Sequence, residues 1–326
     1  MAASSSQPNS PTSVTMKKYL FAILLFLGTT SCTSTSEAPP TTQLTADNRP
    51  PAKIALALGG GAARGFAHIG VIKALEAQGI SIDIVAGTSA GSVVGALYAF
   101  GLNGFQIQEL SMTMEENQVL DGSGLYRCIL ETVITDKRGC VMGQALQDFI
   151  NGNVRYRTIE KLPKTFAAVA TNLNNGEMMV FRNGNTGMAV RASSSVPVFF
   201  QPVTINGQDY VDGGLVAPVP SSVARSLGAD FVIAVDISDR PQDRNTTGIS
   251  DILWQTFSIF GQTINRHERT NADIVIRPVT FGIPSADASG RNKAVLEGEK
   301  AVAAILSELK AMLEKLNMEK HVTGMP

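Results

Sequence analysis

The chain has 326 residues, a formal net charge of −1 and 44% hydrophobic residues, enough to bury the core of one large α/β domain or two smaller ones. Balanced charge gives no broad basic field, which argues against a nucleic-acid partner. The three histidines, His68, His267 and His321, lie far apart with no metal-ligand spacing, so nothing argues for a metal site.

Residues 1–15 are rich in Ser, Pro and Thr and read as a disordered extension or a start-site artefact. From Met16 the chain runs MKKYLFAILLFLGTTSC: two lysines, an apolar core over 19–27, small residues, then Cys32. That is the order of a secretory signal, and its apolar run is too short to span a bilayer. It resembles a bacterial lipoprotein signal over residues 16–31, with Cys32 as the acylated first residue of the mature chain. Thr29 departs from that pattern, because leucine is preferred three before the cysteine. Ordinary cleavage and an uncleaved anchor are the alternatives. Residues 32–52, rich in Ser, Thr, Pro and Ala, read as a flexible tether, which predicts an exported protein of the cell envelope, membrane-anchored and facing the periplasm. With Cys32 acylated, Cys128 and Cys140 remain as an even pair, read either as a disulfide closing a short loop or as two separate buried thiols.

The folded region spans residues 53–318, with a short tail over 319–326. Residues 52–58 form an apolar strand that ends at three glycines. Residues 68–77 carry helical spacing in Ile69, Ile72, Leu75 and Ala77, stopped by Gly79. A second strand over 80–86 leads into GTSAG and a helix over 92–100, stopped by Gly101. Two strand–turn–helix units in tandem predict a parallel sheet with crossover helices. Residues 111–156 are less patterned, with helical stretches near 105–114 and 143–150, and read as a variable cover. The strand pattern resumes at 164–171 and 178–181. Residues 203–205 and 209–211 flank the pair Asn206 and Gly207, a two-residue hairpin signal. Buried strands follow at 231–236 and 274–277. A helix over 296–316 closes the chain, with Val302, Ile305, Leu309, Leu313 and Leu316 on one face that packs on its own domain.

GTSAG, residues 87–91, carries the first chemistry. Gly-x-Ser-x-Gly between a strand and a helix is a nucleophile elbow: a sharp turn lifts Ser89, and only Gly87 and Gly91 let the neighbouring backbone come so close. The helix N-terminus adds positive potential where an attacking oxygen carries charge. In that setting a nucleophile is favoured over a structural N-cap serine.

An activated serine needs a base. His267 sits in the polar, helix-like stretch RHER and His321 in the tail; neither follows a strand, as a triad histidine would. His68 precedes Ser89 on the helix after the glycines and reads as a packing residue. The other candidate base is Asp212, in YVDGGLVAPVP, directly after a hairpin strand. Asp-Gly is by default a turn, but here the flanks are apolar, and an aspartate freed from some of its water can take a serine proton directly.

The glycines Gly59, Gly60, Gly61 and Gly65 miss the G-x-G-x-x-G spacing of a dinucleotide fold by one residue, and no Walker lysine follows. Beside a serine nucleophile, their amides instead suit the oxyanion of a tetrahedral intermediate, where losing one donor costs about 2.7–4 kcal/mol. Arg64 either braces that loop or meets a substrate phosphate.

Together GGGAARG, GTSAG and DGG, in that order, resemble the patatin-like phospholipase family: its glycine-rich oxyanion loop, its serine elbow and its Asp-Gly-[Ala/Gly] motif. The likeness runs through FAHIGVIKALE, ATNLNNGEMMVF, RASSSVPVFFQPV and GADFVIAVDIS, covers residues 53–239, and continues weakly in ADIVIRP. It implies a three-layer α/β/α fold with a mainly parallel central sheet and a Ser–Asp dyad without a catalytic histidine. Carried over, Ser89 is the nucleophile, Asp212 the base, and the Gly60 and Gly61 amides the oxyanion hole. Gly59, Arg64, Gly65, Gly87, Gly91, Gly213 and Gly214 support loop and elbow. The resemblance implies a lipid acyl hydrolase of phospholipase A, lysophospholipase or carboxylesterase type, which forms an acyl-enzyme and needs no metal or other cofactor. Its expected partners are a lipid or acyl-ester substrate and a membrane surface reached through the anchor. The rival readings are a non-catalytic lipid-binding or envelope scaffold that kept the motifs, a nucleotide-binding protein using the glycine loop, and a transacylase.

Overall fold

The computed structural model describes residues 51–115, 138–238, 247–280, 282 and 288–322. The signal segment, Cys32 and Cys128 lie outside the described residues, so the lipidation and disulfide expectations do too.

Strand β1 (Ile54–Leu58) sits inside a sheet of order β5-β6-β3-β2-β1-β7-β8, with β2 (Ile84–Thr88), β3 (Thr165–Asn172), β5 (Val203–Ile205), β6 (Gln208–Asp212), β7 (Phe231–Val235) and β8 (Ile274–Ile276). From β3 to β8 the pairing is parallel; β4 (Met178–Phe181), β5 and β6 pair antiparallel. The β5–β6 hairpin turns at Asn206 and Gly207, whose φ values of 51° and 77° are those of a two-residue turn matching strand twist.

The strands are apolar throughout because both faces are covered. Leu56, Leu58, Val85, Phe166, Ile233 and Val235 point into one core, and their sequence neighbours Ala55, Ala57, Ile84, Ala167 and Val232 into the other. The first core is shared with α1 (Phe66–Ala77), α2 (Ala90–Phe100), α3 (Gly104–Thr113) and α4 (Gln144–Asn153); the second with α6 (Ser221–Ser226). This is the three-layer arrangement that the family resemblance implies. The closing helix, α8 (Ala288–Val322), buries Val302 and Leu309 against the first core. It reaches α1 at backbone distance, since a Cβ on Gly70 would stand 1.8 Å from the Val295 carbonyl oxygen. Its N-terminal turns, before residue 296, show little apolar periodicity, and contact with α1 rather than local pattern makes them helical.

Two helices have no counterpart in the periodicity. One, α5 (Thr186–Ser193), begins where the Asn185 side chain accepts from the Met188 amide; the other is α6. Both are short, and tertiary contact decides them. The polar RHER stretch ends a longer helix, α7 (Ile249–Glu268).

Candidate active site

Ser89 stands between the end of β2 and the start of α2 with φ 53° and ψ −124°. A side chain held at positive φ costs on the order of 1–3 kcal/mol, and the surroundings enforce it here. A Cβ on Gly91 would lie 2.0 Å from the Leu58 carbonyl oxygen, and one on Gly87 2.5 Å from Ser92 Cα. Only bare backbone lets the helix begin against the strands. The Ser89 amide donates to Ser193 Oγ at 2.9 Å, and Ser92 Oγ donates to the Ser89 carbonyl at 2.7 Å. The elbow is therefore held at both its amide and its carbonyl.

Strand register brings Asp212 to it. Thr88, the last residue of β2, pairs with Val169, and Asp212, the last residue of β6, pairs with Ala170. Because β4 pairs with Ala168–Thr171 along the other edge of β3, β2 and β6 share one edge and meet end to end. The nucleophile turn and the aspartate thus face each other across one step of β3. Gly213 makes the exit tight, since a Cβ there would stand 2.2 Å from the Val169 carbonyl oxygen.

Asp212 is 6% exposed, and burial pushes its carboxyl from 3.8 up to about 6. The Ser89 hydroxyl and the Gly214 amide act against that rise. Oδ1 accepts the Gly214 amide at 2.7 Å; Oδ2 is buried with no hydrogen bond of regular geometry. A buried carboxylate with one oxygen uncommitted is a proton acceptor whose affinity lies close to neutral pH. The Asp212 amide donates to the Ser195 carbonyl at 2.9 Å. Ser193 and Ser195 therefore tie both halves of the pair to a single segment.

The glycine loop lies over Ser89: a Cβ on Gly60 would stand 3.2 Å from Ser89 Cβ, and one on Gly65 2.7 Å from Ala90 Cβ. Its amides are not equivalent. Gly59 N donates to the Val235 carbonyl at 3.0 Å and Gly60 N to the Pro218 carbonyl at 2.8 Å. Of the two amides expected at an oxyanion, that of Gly60 donates within the loop, and that of Gly61 makes no backbone hydrogen bond among the described residues. Arg64 has a bracing role, its Nε donating to the Ile237 carbonyl at 2.9 Å.

His68 belongs to the same loop. It is fully buried, with Nε2 2.8 Å from the Gly59 carbonyl oxygen. A carbonyl only accepts, so Nε2 carries the proton. Burial holds the ring's pKa down at about 4, against the smaller opposing effects of Gly59 and Asp236. The ring is neutral, and it is a strut for the loop rather than a base. His267, at the end of α7, is exposed.

Two cavities meet at Ser89. One, of about 500 Å³, is walled by Phe66, Val93, Leu97, Leu110, Leu146 and Phe149 among others. The other, of about 440 Å³, holds Arg64 and Asp212 and is closed by Phe257 and Phe260 of α7. No histidine lines either. Sequence reasoning missed Ser193 and Ser195 as site residues. The run of three serines after an amphipathic stretch was the available signal, but nothing local says which hydroxyl turns inward. Cys140 is half-buried, with its amide on the Phe199 carbonyl at 3.1 Å.

The family model described as patatin-like phospholipase matches residues 56–225. An uncharacterized NTE family protein of Mycobacterium bovis is 36% identical over 188 residues, 57% of this chain and 49% of that protein. Patatin-like phospholipase domain-containing protein 6 of Mus musculus is 34% identical over 207 residues, 62% of this chain and 15% of that protein. Lysophospholipase NTE1 of Meyerozyma guilliermondii is 33% identical over 200 residues, covering 61% and 14% respectively. The chain spans half or less of the length of these relatives. VipD from Legionella pneumophila has a similar fold, with a TM-score of 0.52 at 16% identity over 79% of this chain and 67% of that one. The match takes in more than half of the chain, including the glycine loop, the Ser89 elbow and Asp212, and the chain belongs to the patatin-like phospholipase family.

Proposed function

We propose that this protein is a serine acyl hydrolase of lipid esters that works through a Ser89–Asp212 dyad and an acyl-enzyme. The observation that carries the reading is the end-to-end meeting of β2 and β6 on one edge of β3, which sets a strained serine beside a buried aspartate. Ser89 Oγ attacks the acyl carbonyl carbon as its proton passes to Asp212 Oδ2. The oxyanion forms under the Gly61 amide, with the N-terminus of α2 as a second source of positive potential. Collapse breaks the ester bond, and the proton on Asp212 goes to the departing alkoxide. Water then attacks the acyl-serine, giving its proton to Asp212, and the fatty acid leaves as Ser89 recovers its own.

The larger cavity, lined mostly by apolar side chains, suits the acyl chain; the second, with Arg64 at its wall, suits the alcohol side of the ester. The sequence over residues 16–32 adds the proposal that the enzyme is exported and acylated at Cys32, which mass spectrometry of the cell-extracted protein tests directly. Labelling with a fluorophosphonate and mapping the adduct tests the chemistry. The adduct is expected on Ser89 and is expected to vanish in Asp212→Asn; an intact protein after prolonged labelling favours a scaffold that kept the motifs.

A further inference from the structure

Helix α7 walls the second cavity with Phe257, Phe260 and Ile264. Apolar side chains on it also reach solvent: Phe260, at the rim of that cavity, is 60% exposed, and Ile252 and Ile259, among threonines and glutamines, are 55% and 48% exposed. Ile252 and Ile259 are seven residues apart and so lie on one helical face. Residues 252–265 contain no Asp, Glu, Lys, Arg or His, a run of 14 uncharged positions on an element that faces solvent. The charged part begins with Arg266, which is exposed. No helix among the described residues is long and apolar enough to cross a membrane.

We propose that the outer face of α7 docks the enzyme onto a lipid surface, seating the mouth of the second cavity against the bilayer. The proposal rests on the lipid-ester reading above. A helix that carries exposed Ile252, Ile259 and Phe260 beside a cavity mouth, with exposed Arg266 at the end of its uncharged run, has the chemistry of an element lying in the interface plane. Continuity identifies the occupant. The side chains that wall the route to Ser89 and those exposed to solvent belong to the same turns, so substrate leaving the bilayer along α7 arrives at the nucleophile without crossing water. Arg266 sits where the apolar stretch ends, at the depth of the headgroups, and favours anionic lipid.

Vesicles of phosphatidylcholine and phosphatidylglycerol are added to the purified protein, and bound protein is measured by co-sedimentation. Wild type is expected to sediment with the vesicles. The double variant Ile252→Ser, Ile259→Ser is expected to bind vesicles roughly tenfold or more weakly and to lose vesicle hydrolysis in proportion. Its hydrolysis of a water-soluble short-chain ester is expected to match wild type. Arg266→Glu, which leaves the apolar face intact, is expected to weaken binding to anionic vesicles and not to pure phosphatidylcholine. Wild type that hydrolyses vesicles without sedimenting with them overturns the proposal, as does a double variant equal to wild type on vesicles. A dimer in wild type that the double variant dissolves overturns it in favour of a second copy of the chain. Lack of activity on the soluble ester in wild type counts against the hydrolase reading alone, because sedimentation still reports docking.

Discussion

The backbone amide of Ser89 and the hydroxyl of Ser193 form a 2.9 Å hydrogen bond, so Ser89 is held by its main chain while its own hydroxyl stays available. Ser193 is fully buried, and Ser193→Ala leaves that amide with nothing to replace the acceptor. An unsatisfied buried donor costs about 1–3 kcal/mol. The variant is expected to melt lower and to lose kcat more than KM, because the elbow relaxes away from positive φ. Thermal unfolding and steady-state kinetics on one ester check both; an unchanged kcat would mean that the elbow does not need this support.

Asp212→Asn separates catalysis from stability. Removing a general base costs roughly 10²–10⁴-fold in rate, and that loss is expected on soluble and vesicle substrates alike. Stability is expected to move the other way. Folded Asp212 titrates near 6 rather than 3.8, so the folded state holds more protons between those values and stability falls as pH rises through them. Above pH 6 the buried charge costs about 3 kcal/mol. The asparagine variant is therefore expected to be more stable than wild type at pH 7, by up to that amount, with the advantage shrinking toward zero near pH 4. Urea unfolding of both proteins across pH 4–8 measures the difference.

The same titration shapes activity. Asp212 accepts a proton only when ionised, so kcat/KM on a soluble ester is expected to rise with pH through about 6 and then level off. With no histidine in the proposed dyad, a second basic limb near 6.5 is not expected. A profile flat from pH 5 to 8 would remove Asp212 as the base.

Much of this site could be read from the chain because its three glycine-bearing motifs each sit at a strand end, where local geometry demands them. Gly91 and Gly213 come within 2.2 Å of carbonyl oxygens once a Cβ is added, and a steric demand of that kind leaves a mark in sequence. The strands could be read for a similar reason, being buried on both faces and almost wholly apolar. What stayed hidden depends on distant partners. That the Gly60 amide is spent on Pro218 follows from where residue 218 packs, 158 positions away. The apolar face of α7, with Phe257, Phe260 and Ile264, acquires its meaning only from the cavity it closes, which the sequence does not show.

His68 shows how such a partner changes a residue's meaning: its sequence context reads as packing, but its Nε2 proton holds the Gly59 carbonyl at 2.8 Å. Folded His68 titrates near 4 instead of 6.5, so the unfolded chain binds the extra proton across that window and stability falls as pH drops through it, by about 3 kcal/mol in full. Between pH 4 and 6 this opposes the Asp212 effect. His68→Gln, which keeps a donor for Gly59 without titrating, is expected to retain most activity at pH 7. Relative to wild type it is expected to gain stability steadily as pH falls from 6.5 to 4. His68→Ala is expected to lose activity at every pH, through a slackened loop. If the glutamine variant tracks wild type across the whole range, the ring is not neutral in the fold.

The 500 Å³ cavity makes a chain-length prediction that the dyad alone does not. Leu110 lines it from α3 and is half-buried, so Leu110→Trp takes up space in the cavity while leaving the residues of the elbow, the glycine loop and Asp212 unchanged. Each methylene shut out of an apolar site forfeits about 0.8 kcal/mol, about fourfold in kcat/KM. Short acyl esters that end before the new ring are expected to turn over as in wild type. Longer ones are expected to fall by roughly fourfold for each further carbon, about 60-fold for three. A series of esters differing only in acyl length measures the break point. The decline starts where the chain first meets residue 110, and so measures how far the acyl group reaches into the cavity. If the loss is the same at every length, the acyl chain lies in the other cavity, against α7, and the assignments of the two cavities must be exchanged.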